Sequence, residues 1–123
     1  MSNPATYNIN ICQGSDFILD LEICDDDGNP VDITSNIFQG QIRKTISDSL
    51  LQATFTYVIT DAVNGKVRLS LTAAETGAFV LKNQKETVKE SENWTYDVER
   101  ISFGPITQRI LEGEVLITPQ VTR

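Results

Sequence analysis

Residues 66–77 of the 123-residue chain read KVRLSLTAAETG. Every second residue from Val67 to Leu71 is apolar, and this period of two predicts a strand that buries one face. Thr72 and Glu75 then form a capping box, in which the threonine hydroxyl accepts a hydrogen bond from the N3 amide and the glutamate reaches back to the cap. A glycine closes the stretch, so we predict a strand that runs directly into one short helix.

The same alternation recurs along most of the chain. In each segment one set of alternate residues is apolar, and the other is rich in Thr, Gln, Asn and carboxylates, which is typical of strands with one solvated face. Turn-forming residues separate the segments, among them DDDGNP at 25–30 and the Asn64-Gly65 pair. The expected strands are residues 6–12, 16–24, 37–45, 50–59, 66–72, 93–101 and 107–118.

Seven short strands with one helical turn late in the chain predict an all-β antiparallel β-sandwich. The length of 123 residues is that of one domain, and no repeat or linker divides the sequence, so we predict a single domain over residues 1–123. Residues 82–93 mix lysines and glutamates with Val88 as their one apolar member. We expect a solvated loop or a marginal helix there.

Two features of the last two predicted strands concern packing. Gly113 lies inside a strand, which predicts a β-bulge or the close approach of another backbone. Trp94 and Tyr96 alternate with Asp97 and Glu99. We therefore expect both rings in the core rather than on a surface that stacks against a sugar.

Composition narrows the function classes. With 17 acidic and 10 basic residues and a net charge of -7, the chain is poorly suited to bind the phosphate backbone of nucleic acids. It contains no histidine, which excludes Ser-His-Asp and Cys-His catalysis and disfavours a catalytic zinc site. No apolar run approaches the ~18 residues of a membrane span, and the first residues lack the pattern of a secretory signal. We expect neither a nucleic-acid nor a membrane partner.

The two cysteines are Cys12 and Cys24. If residues 6–12 and 16–24 form a hairpin that turns at 13–15, the sulfurs lie about seven positions apart along the ribbon, or ~24 Å at ~3.4 Å per residue. A disulfide needs Cα atoms within about 7 Å, so this arrangement forbids one. The argument fails if the two strands lie in different sheets. We predict free thiols in a reducing cytosol.

Paired carboxylates are the remaining candidates for catalysis. A glycosidase needs two carboxyl groups about 5–10 Å apart, and i, i+2 neighbours on a strand fall within that range by geometry alone. Nothing in the sequence predicts the desolvation that a perturbed pKa requires, so we interpret the pairs as a solvated face. The pairs are Asp20/Glu22, Asp97/Glu99 and Glu112/Glu114.

The acidic run at 25–27 invites a calcium site. Aligning Gly28 with the glycine of an EF-hand loop places Ile23 at its first position and Thr34 at its last, where that loop requires carboxylates. We predict an acidic turn whose side chains bond their own backbone, with an irregular calcium site as the alternative. The sequence thus offers no catalytic, cofactor-binding or metal-binding residue on which we rely.

Several motifs occur in an order that resembles a known family. They are GSDF at 14–17, DDGNPVDIT at 26–34, KVRLSLTAAET at 66–76, WTYDVE at 94–99 and GEVLITPQVTR at 113–123. In this order they resemble small immunoglobulin-like domains of tailed-phage structural proteins, including the N-terminal domain of baseplate upper proteins. The resemblance covers nearly the whole chain, although the segment at 82–93 is longer than the family leads us to expect.

The resemblance implies an immunoglobulin-like sandwich that acts as a non-enzymatic bacteriophage virion protein of the tail, baseplate or neck. Such a protein works through assembly contacts with other phage structural proteins and with copies of itself, in the virion and, during assembly, in the host cytoplasm. The alternatives are a capsid decoration protein, a carbohydrate- or receptor-binding module, and a carboxylate-based hydrolase. The expected contact segments are residues 1–5, 82–93 and 119–123.

Overall fold

The computed structural model describes residues 4–48, 50–81 and 91–120. Within these ranges the chain forms nine strands and one short helix. The strands are β1 Ala5–Thr6, β2 Ile9–Cys12, β3 Phe17–Glu22, β4 Ile37–Arg43, β5 Leu51–Thr54, β6 Thr56–Asp61, β7 Lys66–Leu71, β8 Glu92–Ser102 and β9 Ile106–Thr118, and helix α1 spans Ala73–Gly77.

The strands form two packed sheets. In the larger sheet β9 pairs with β8, β8 with β4 and β4 with β5, all antiparallel, while β1 and β2 both pair with β9 in parallel. In the smaller sheet β7 lies between β3 and β6, again antiparallel. This immunoglobulin-like arrangement confirms the predicted all-β sandwich with one short helix, and the parallel pairs add a feature that the alternation does not encode.

The predicted strand at 50–59 changes sheets in its middle. Phe55 separates β5 in the larger sheet from β6 in the smaller one, and its amide donates to the carbonyl of Gly40 at 2.8 Å. The buried Phe55 ring lies 6.1 Å from that of Phe17 and 6.2 Å from that of Tyr96. Gly40 makes room for it, because a Cβ there would stand 2.7 Å from the phenyl ring. One continuous alternation therefore spans two strands.

The core fills the space between the sheets, as the alternation predicts. Its residues come from both sheets and from the segment after the helix, where Phe79 and Leu81 pack inward. Burial of this apolar area is the main stabilising term of the fold. The residues predicted to face inward on β7 and β8 are all buried, and Val98 on β8 is buried with them: Val67, Leu69, Leu71, Trp94 and Tyr96.

The segment between β2 and β3 is not a hairpin turn, and the hairpin expected from residues 6–12 and 16–24 is wrong. β2 belongs to the larger sheet and β3 to the smaller one. Gln13 explains the difference, because its buried side chain donates to the carbonyl of Phe79 at 2.8 Å and accepts from the amide of Gln120 at 3.0 Å. These bonds to distant parts of the chain carry the segment across the sandwich instead of reversing it.

Helix α1 also contacts the segment that connects β2 and β3. Its capping box is formed as predicted, with Thr72 accepting from the amide of Glu75 and Glu75 accepting from the amide of Thr72. Inside the helix, the buried Thr76 hydroxyl accepts from the amide of Gly14 at 3.0 Å and donates to the carbonyl of Ser15 at 2.8 Å. The short helix therefore stabilises the segment between β2 and β3 through these two hydrogen bonds.

Gly113 is the site of a close backbone approach, which confirms one of the two outcomes expected for it. A Cβ at Gly113 would overlap the carbonyl oxygen of Tyr7 and lie 2.8 Å from its carbonyl carbon. The break between β1 and β2 falls at this point. The bulge in β9 lies earlier, at Ile110, where the register with β8 shifts.

We predict that Gly113→Ala destabilises the protein by about 2 kcal/mol, because the added methyl must push away the backbone that crosses it. Gly77→Ala is the matched control, since a Cβ there meets its nearest neighbour, the Cα of Gly14, at an ordinary 3.7 Å. In urea unfolding the control should equal or exceed the parent, because alanine favours a helix over glycine by about 0.5–1 kcal/mol. Equal losses in both variants would contradict this assignment.

Candidate functional site

The structure brings together two of the three predicted carboxylate pairs. The pairs on β8 and β9 project from the outer face of the larger sheet, where Asp97 lies directly opposite Glu112. Asp20 and Glu22 lie on β3 in the smaller sheet and are therefore separate. The carboxylates that gather on the larger sheet are Asp97, Glu99, Glu112 and Glu114.

A guanidinium lies among these carboxylates. Arg109 Nε is 3.4 Å from Asp97 Oδ2, and its Nη1 is 3.7 Å from Glu112 Oε1. Together with Gln41 and Arg43 on β4, these residues line an open groove of about 260 Å³. Ligand pockets are typically enclosed and measure about 300–1,000 Å³. We call this surface the polar face, and its geometry is that of a hydrogen-bonding surface rather than an enclosed reaction site.

In the third carboxylate pair, Asp20 and Glu22, the Asp20 side chain forms an ion pair with Arg68 on the neighbouring strand β7. Arg68 Nε donates to Asp20 Oδ1 at 2.8 Å, and its Nη2 donates to Oδ2 at 3.3 Å. The hydrogen bond from Arg68 lowers the pKa of Asp20 below its ordinary value of 3.8 and raises the pKa of Arg68. This direction is opposite to the one that a general acid needs at neutral pH.

The acidic run after β3 folds as the predicted turn. Asp25 Oδ1 accepts from the amides of Asp27 and Asn29, both at 2.9 Å. Asp32 accepts from the hydroxyl and the amide of Thr34, and these bonds lower the pKa of Asp32. In the described part of the chain, no group of three or more His, Cys, Asp or Glu side chains is placed to hold a metal ion.

The cysteines are both free and exposed, as predicted, although the hairpin used to argue for this is wrong. Cys24 Sγ lies 3.5 Å from Glu22 Oε1 and donates to it. Partial desolvation, the bond to Glu22 and the charge of Asp25 all raise the pKa of the Cys24 thiol. The thiol therefore remains protonated at neutral pH, and thiols in that form are weak nucleophiles.

Trp94 and Tyr96 are core residues, as expected, with exposed fractions of 2% and 3%. Trp94 packs edge-on against Phe79 with ring centroids 5.0 Å apart. The Tyr96 hydroxyl donates to the carbonyl of Tyr7, and desolvation raises the pKa of Tyr96 to about 12. Both rings therefore stabilise the sandwich, and Tyr96 also ties the first strands to β8.

Sequence reasoning missed an exposed apolar surface at the end of the β8–β9 hairpin. The expected strands at 93–101 and 107–118 leave the residues between them as a connecting turn and nothing more. In the structure Phe103 is 98% exposed at the tip, and Ile106, the first residue of β9, is 56% exposed. We call these two residues the hairpin patch. A phenylalanine in a short turn, with an isoleucine three residues later, is the signal that could have revealed it.

β9 begins at Ile106, directly after the turn of the hairpin, and one edge of the strand faces away from β8. β1 pairs with β9 at Leu111 and Glu112, opposite Ala5 and Thr6. Among the described residues, no strand pairs with the outer edge of Ile106–Ile110, which we call the β9 edge. Unpaired strand edges present amide and carbonyl groups that can accept another strand.

An open groove runs beside the β9 edge, between the two sheets. Its volume is about 540 Å³, and its apolar lining includes Ile23, Val31 and Ile110. Charged residues flank this lining, among them Asp25 from the acidic turn and Arg100 from β8. We call it the edge groove. It shares Gln108, Arg109 and Ile110 with the β9 edge, and the hairpin patch lies at the other end of that edge.

The three contact segments expected from the sequence have different outcomes. Ala5 of the expected arm at 1–5 lies in β1, so this part is a sheet strand rather than an arm. In the 82–93 segment, residues 82–90 lie outside the described residues, and Glu92 begins β8. In the 119–123 segment, Gln120 packs against Gly14 and bonds to Gln13, while residues 121–123 lie outside the described residues.

Comparisons with protein-family models and with curated proteins find no match to this chain. Within the described residues, no helix has the length and the apolar character needed to cross a bilayer. We infer function from the hairpin patch, together with the edge groove at the other end of the β9 edge.

We predict that Arg68→Gln raises the pKa of Asp20 toward 3.8, because the guanidinium that favours the carboxylate is removed. A lowered pKa contributes stability above the unfolded value and loses it as the pH falls through the folded one. NMR titration of side-chain carboxyl carbons measures this directly. Asp32 is the internal control, since its pKa is lowered by Thr34 and should not move. An unchanged Asp20 would contradict the assignment.

Proposed function

We propose that this protein is a non-enzymatic structural component of a bacteriophage virion, in the tail, baseplate or neck, and that it assembles through the surface at its β8–β9 hairpin. The observation that carries the proposal is the hairpin patch, with Phe103 98% exposed at the tip. Single exposed apolar residues are ordinary. An exposed aromatic ring at the tip of a rigid hairpin, with an exposed isoleucine on the same hairpin, is typical of a protein contact.

The hairpin holds this tip in place before any partner arrives. β8 and β9 are the longest strands of the fold, with 11 and 13 residues, and they are paired from Glu92 to the turn. The buried rings of Trp94 and Tyr96 and the side chain of Val98 anchor β8 in the core. A preorganised contact loses less conformational freedom on binding, which favours repeated assembly of identical subunits.

Next to this proposed contact, the polar face supplies charged groups that form hydrogen bonds. Asp97, Glu112 and Arg109 leave charged groups open to solvent next to the apolar end of the sheet. Interfaces commonly combine an apolar centre with a polar rim, and the charged rim selects among partners. The resemblance to immunoglobulin-like domains of tailed-phage structural proteins supports a virion as the place where such contacts are made.

The test is incorporation into particles. A tagged copy of the chain is expressed during phage growth in the source cells, and particles purified on a density gradient are analysed by quantitative mass spectrometry. We expect the protein at a fixed copy number per particle. The Phe103→Ser, Ile106→Thr double variant should fall at least about tenfold in incorporation, since hot-spot residues commonly contribute 2 kcal/mol or more.

Val63→Ser is the matched control, because Val63 is 68% exposed but lies between β6 and β7 of the smaller sheet. Its incorporation should equal that of the parent chain. Circular dichroism of both variants checks that the sandwich is intact. Absence of the parent chain from purified particles would contradict the proposed function, and equal losses in both variants would contradict the role of the hairpin patch.

A carbohydrate- or receptor-binding module is the second candidate, and the exposed ring of Phe103 favours it specifically. Aromatic side chains offer an apolar face on which an apolar ligand surface can pack. A glycan array separates the candidates. Specific binding that Phe103→Ser abolishes and Val63→Ser leaves intact would favour the second candidate, whereas no binding together with particle incorporation would favour the first.

A further inference from the structure

We propose that Asn64 is a modification site, at which the chain converts asparagine to aspartate or isoaspartate through a cyclic succinimide, and that Asp61 keeps this site unreactive in the folded protein. Water is the one co-reactant. The inference goes beyond the proposed function and does not depend on it. It concerns the Asn64-Gly65 pair in the residues that connect β6 and β7.

This pair supplies both groups that the reaction joins. The backbone nitrogen of Gly65 attacks Cγ of the Asn64 side chain, so a bond forms between these two atoms and the succinimide ring closes. The bond from Cγ to the side-chain nitrogen breaks, and that nitrogen leaves as ammonia with the proton lost by Gly65. Water then opens the ring at either carbonyl, which yields aspartate or isoaspartate. Glycine hinders the attack least, because it carries no side chain.

Asn64 is the one asparagine in the sequence that precedes a glycine. Asn29 is also exposed in a turn, but it precedes Pro30, whose nitrogen carries no proton to lose. Asn93 precedes Trp94, a bulky residue that is buried. The chemistry therefore selects Asn64, and Asn29 and Asn93 serve as internal comparisons within the same protein sample.

The Asp61 carboxylate holds the Asn64 side chain in the folded protein. Asn64 is exposed, and its side-chain nitrogen donates to Asp61 Oδ2 at 2.9 Å. The backbone amide of Asn64 donates to Asp61 Oδ1 at 3.4 Å. Succinimide closure draws Cγ to bonding distance from the Gly65 nitrogen, and these two bonds oppose that movement. Hydrogen bonds to a charged carboxylate are stronger than those between neutral groups.

The attacking nitrogen is also held. Gly65 is buried, and its amide donates to the carbonyl of Ala62 at 3.2 Å. Its carbonyl accepts from the amide of Ile23 at 2.7 Å, and a Cβ at this glycine would lie 2.5 Å from the carbonyl oxygen of Ile23. The nitrogen cannot turn toward Asn64 without breaking these contacts. The reaction therefore proceeds from a locally opened turn, and its rate follows the population of that open form.

The products affect more than the turn itself. The carbonyl of Ala62 accepts from the amide of Ile33 at 2.9 Å, and the Ile33 side chain is fully buried. Together with the bond from Ile23, this contact ties the segment between β3 and β4 to the turn. Isoaspartate at position 64 adds a methylene to the backbone, and aspartate there sets a second carboxylate beside Asp61. Both changes weaken the attachment of this segment.

The experiment follows the modification of Asn64 by peptide mass spectrometry. The parent chain and Asp61→Ala are incubated at mildly alkaline pH, each with and without urea. We expect Asn64 in the folded parent to react at least about tenfold more slowly than in urea, because the turn must open first. Folded Asp61→Ala should react at least about fivefold faster than the folded parent, because the bonds to the carboxylate are lost. In urea both chains should react at the same rate.

Asp48→Ala is the matched control. Asp48 Oδ1 accepts from the amide of Leu50 at 2.9 Å, so it too bonds a backbone amide within a loop, but between β4 and β5. Its loss should leave the rate at Asn64 equal to that of the folded parent. Asp61→Asn keeps an acceptor oxygen without the charge and should react at a rate between those of the parent and Asp61→Ala. Circular dichroism checks that each variant is folded.

Four results would overturn the inference. They are a folded parent that reacts as fast as in urea, equal rates in the folded parent and Asp61→Ala, the same acceleration in Asp48→Ala, and an acceleration by Asp61→Ala that persists in urea. If Asp61→Ala does not fold, Asp61→Asn decides the question. A rate above that of the folded parent supports the inference, and a rate equal to it overturns the inference.

Discussion

The close passage of the Tyr7 backbone over Gly113 fixes the position of the first strands on β9. A side chain at Gly113 would overlap the carbonyl group of Tyr7. The Tyr96 hydroxyl donates to that carbonyl, and Asn8 Oδ1 accepts from the amide of Glu114 at 3.0 Å. With the register set there, β1 pairs with β9 at Leu111 and Glu112, and β2 pairs with it from Val115 to Thr118.

Local features of this fold follow from the sequence, and long-range ones do not. The strands, the capping box of Thr72 and Glu75, and the burial of Trp94 depend on alternation and on neighbours a few residues apart. Sheet membership depends on bonds between distant residues, such as those from the Gln13 side chain to Phe79 and Gln120. The hairpin expected at 13–15 is wrong for this reason. The single strand expected over residues 50–59 is wrong for the same reason, because the chain changes sheets at Phe55.

The candidate site shows the same division. The sequence indicates that Asp97 and Glu112 lie on solvated strand faces, but their direct opposition depends on a β8–β9 register that a bulge shifts. It marks Phe103 as a turn residue without revealing that its ring is exposed. The result is a sandwich with an ion-paired polar face on the larger sheet and an apolar hairpin end, a division that suits a subunit with one preferred direction of contact.

Amide hydrogen exchange along β9, followed residue by residue in the parent chain and in Gly113→Ala, tests the central claim that the close passage of Tyr7 over Gly113 fixes the first strands on β9. The account predicts that the β9 amides bonded to β1 and β2, between Leu111 and Thr118, exchange slowly in the parent chain. In Gly113→Ala these amides should lose more protection than the amides of β7 in the smaller sheet. Equal protection of these β9 amides in both chains would contradict the account.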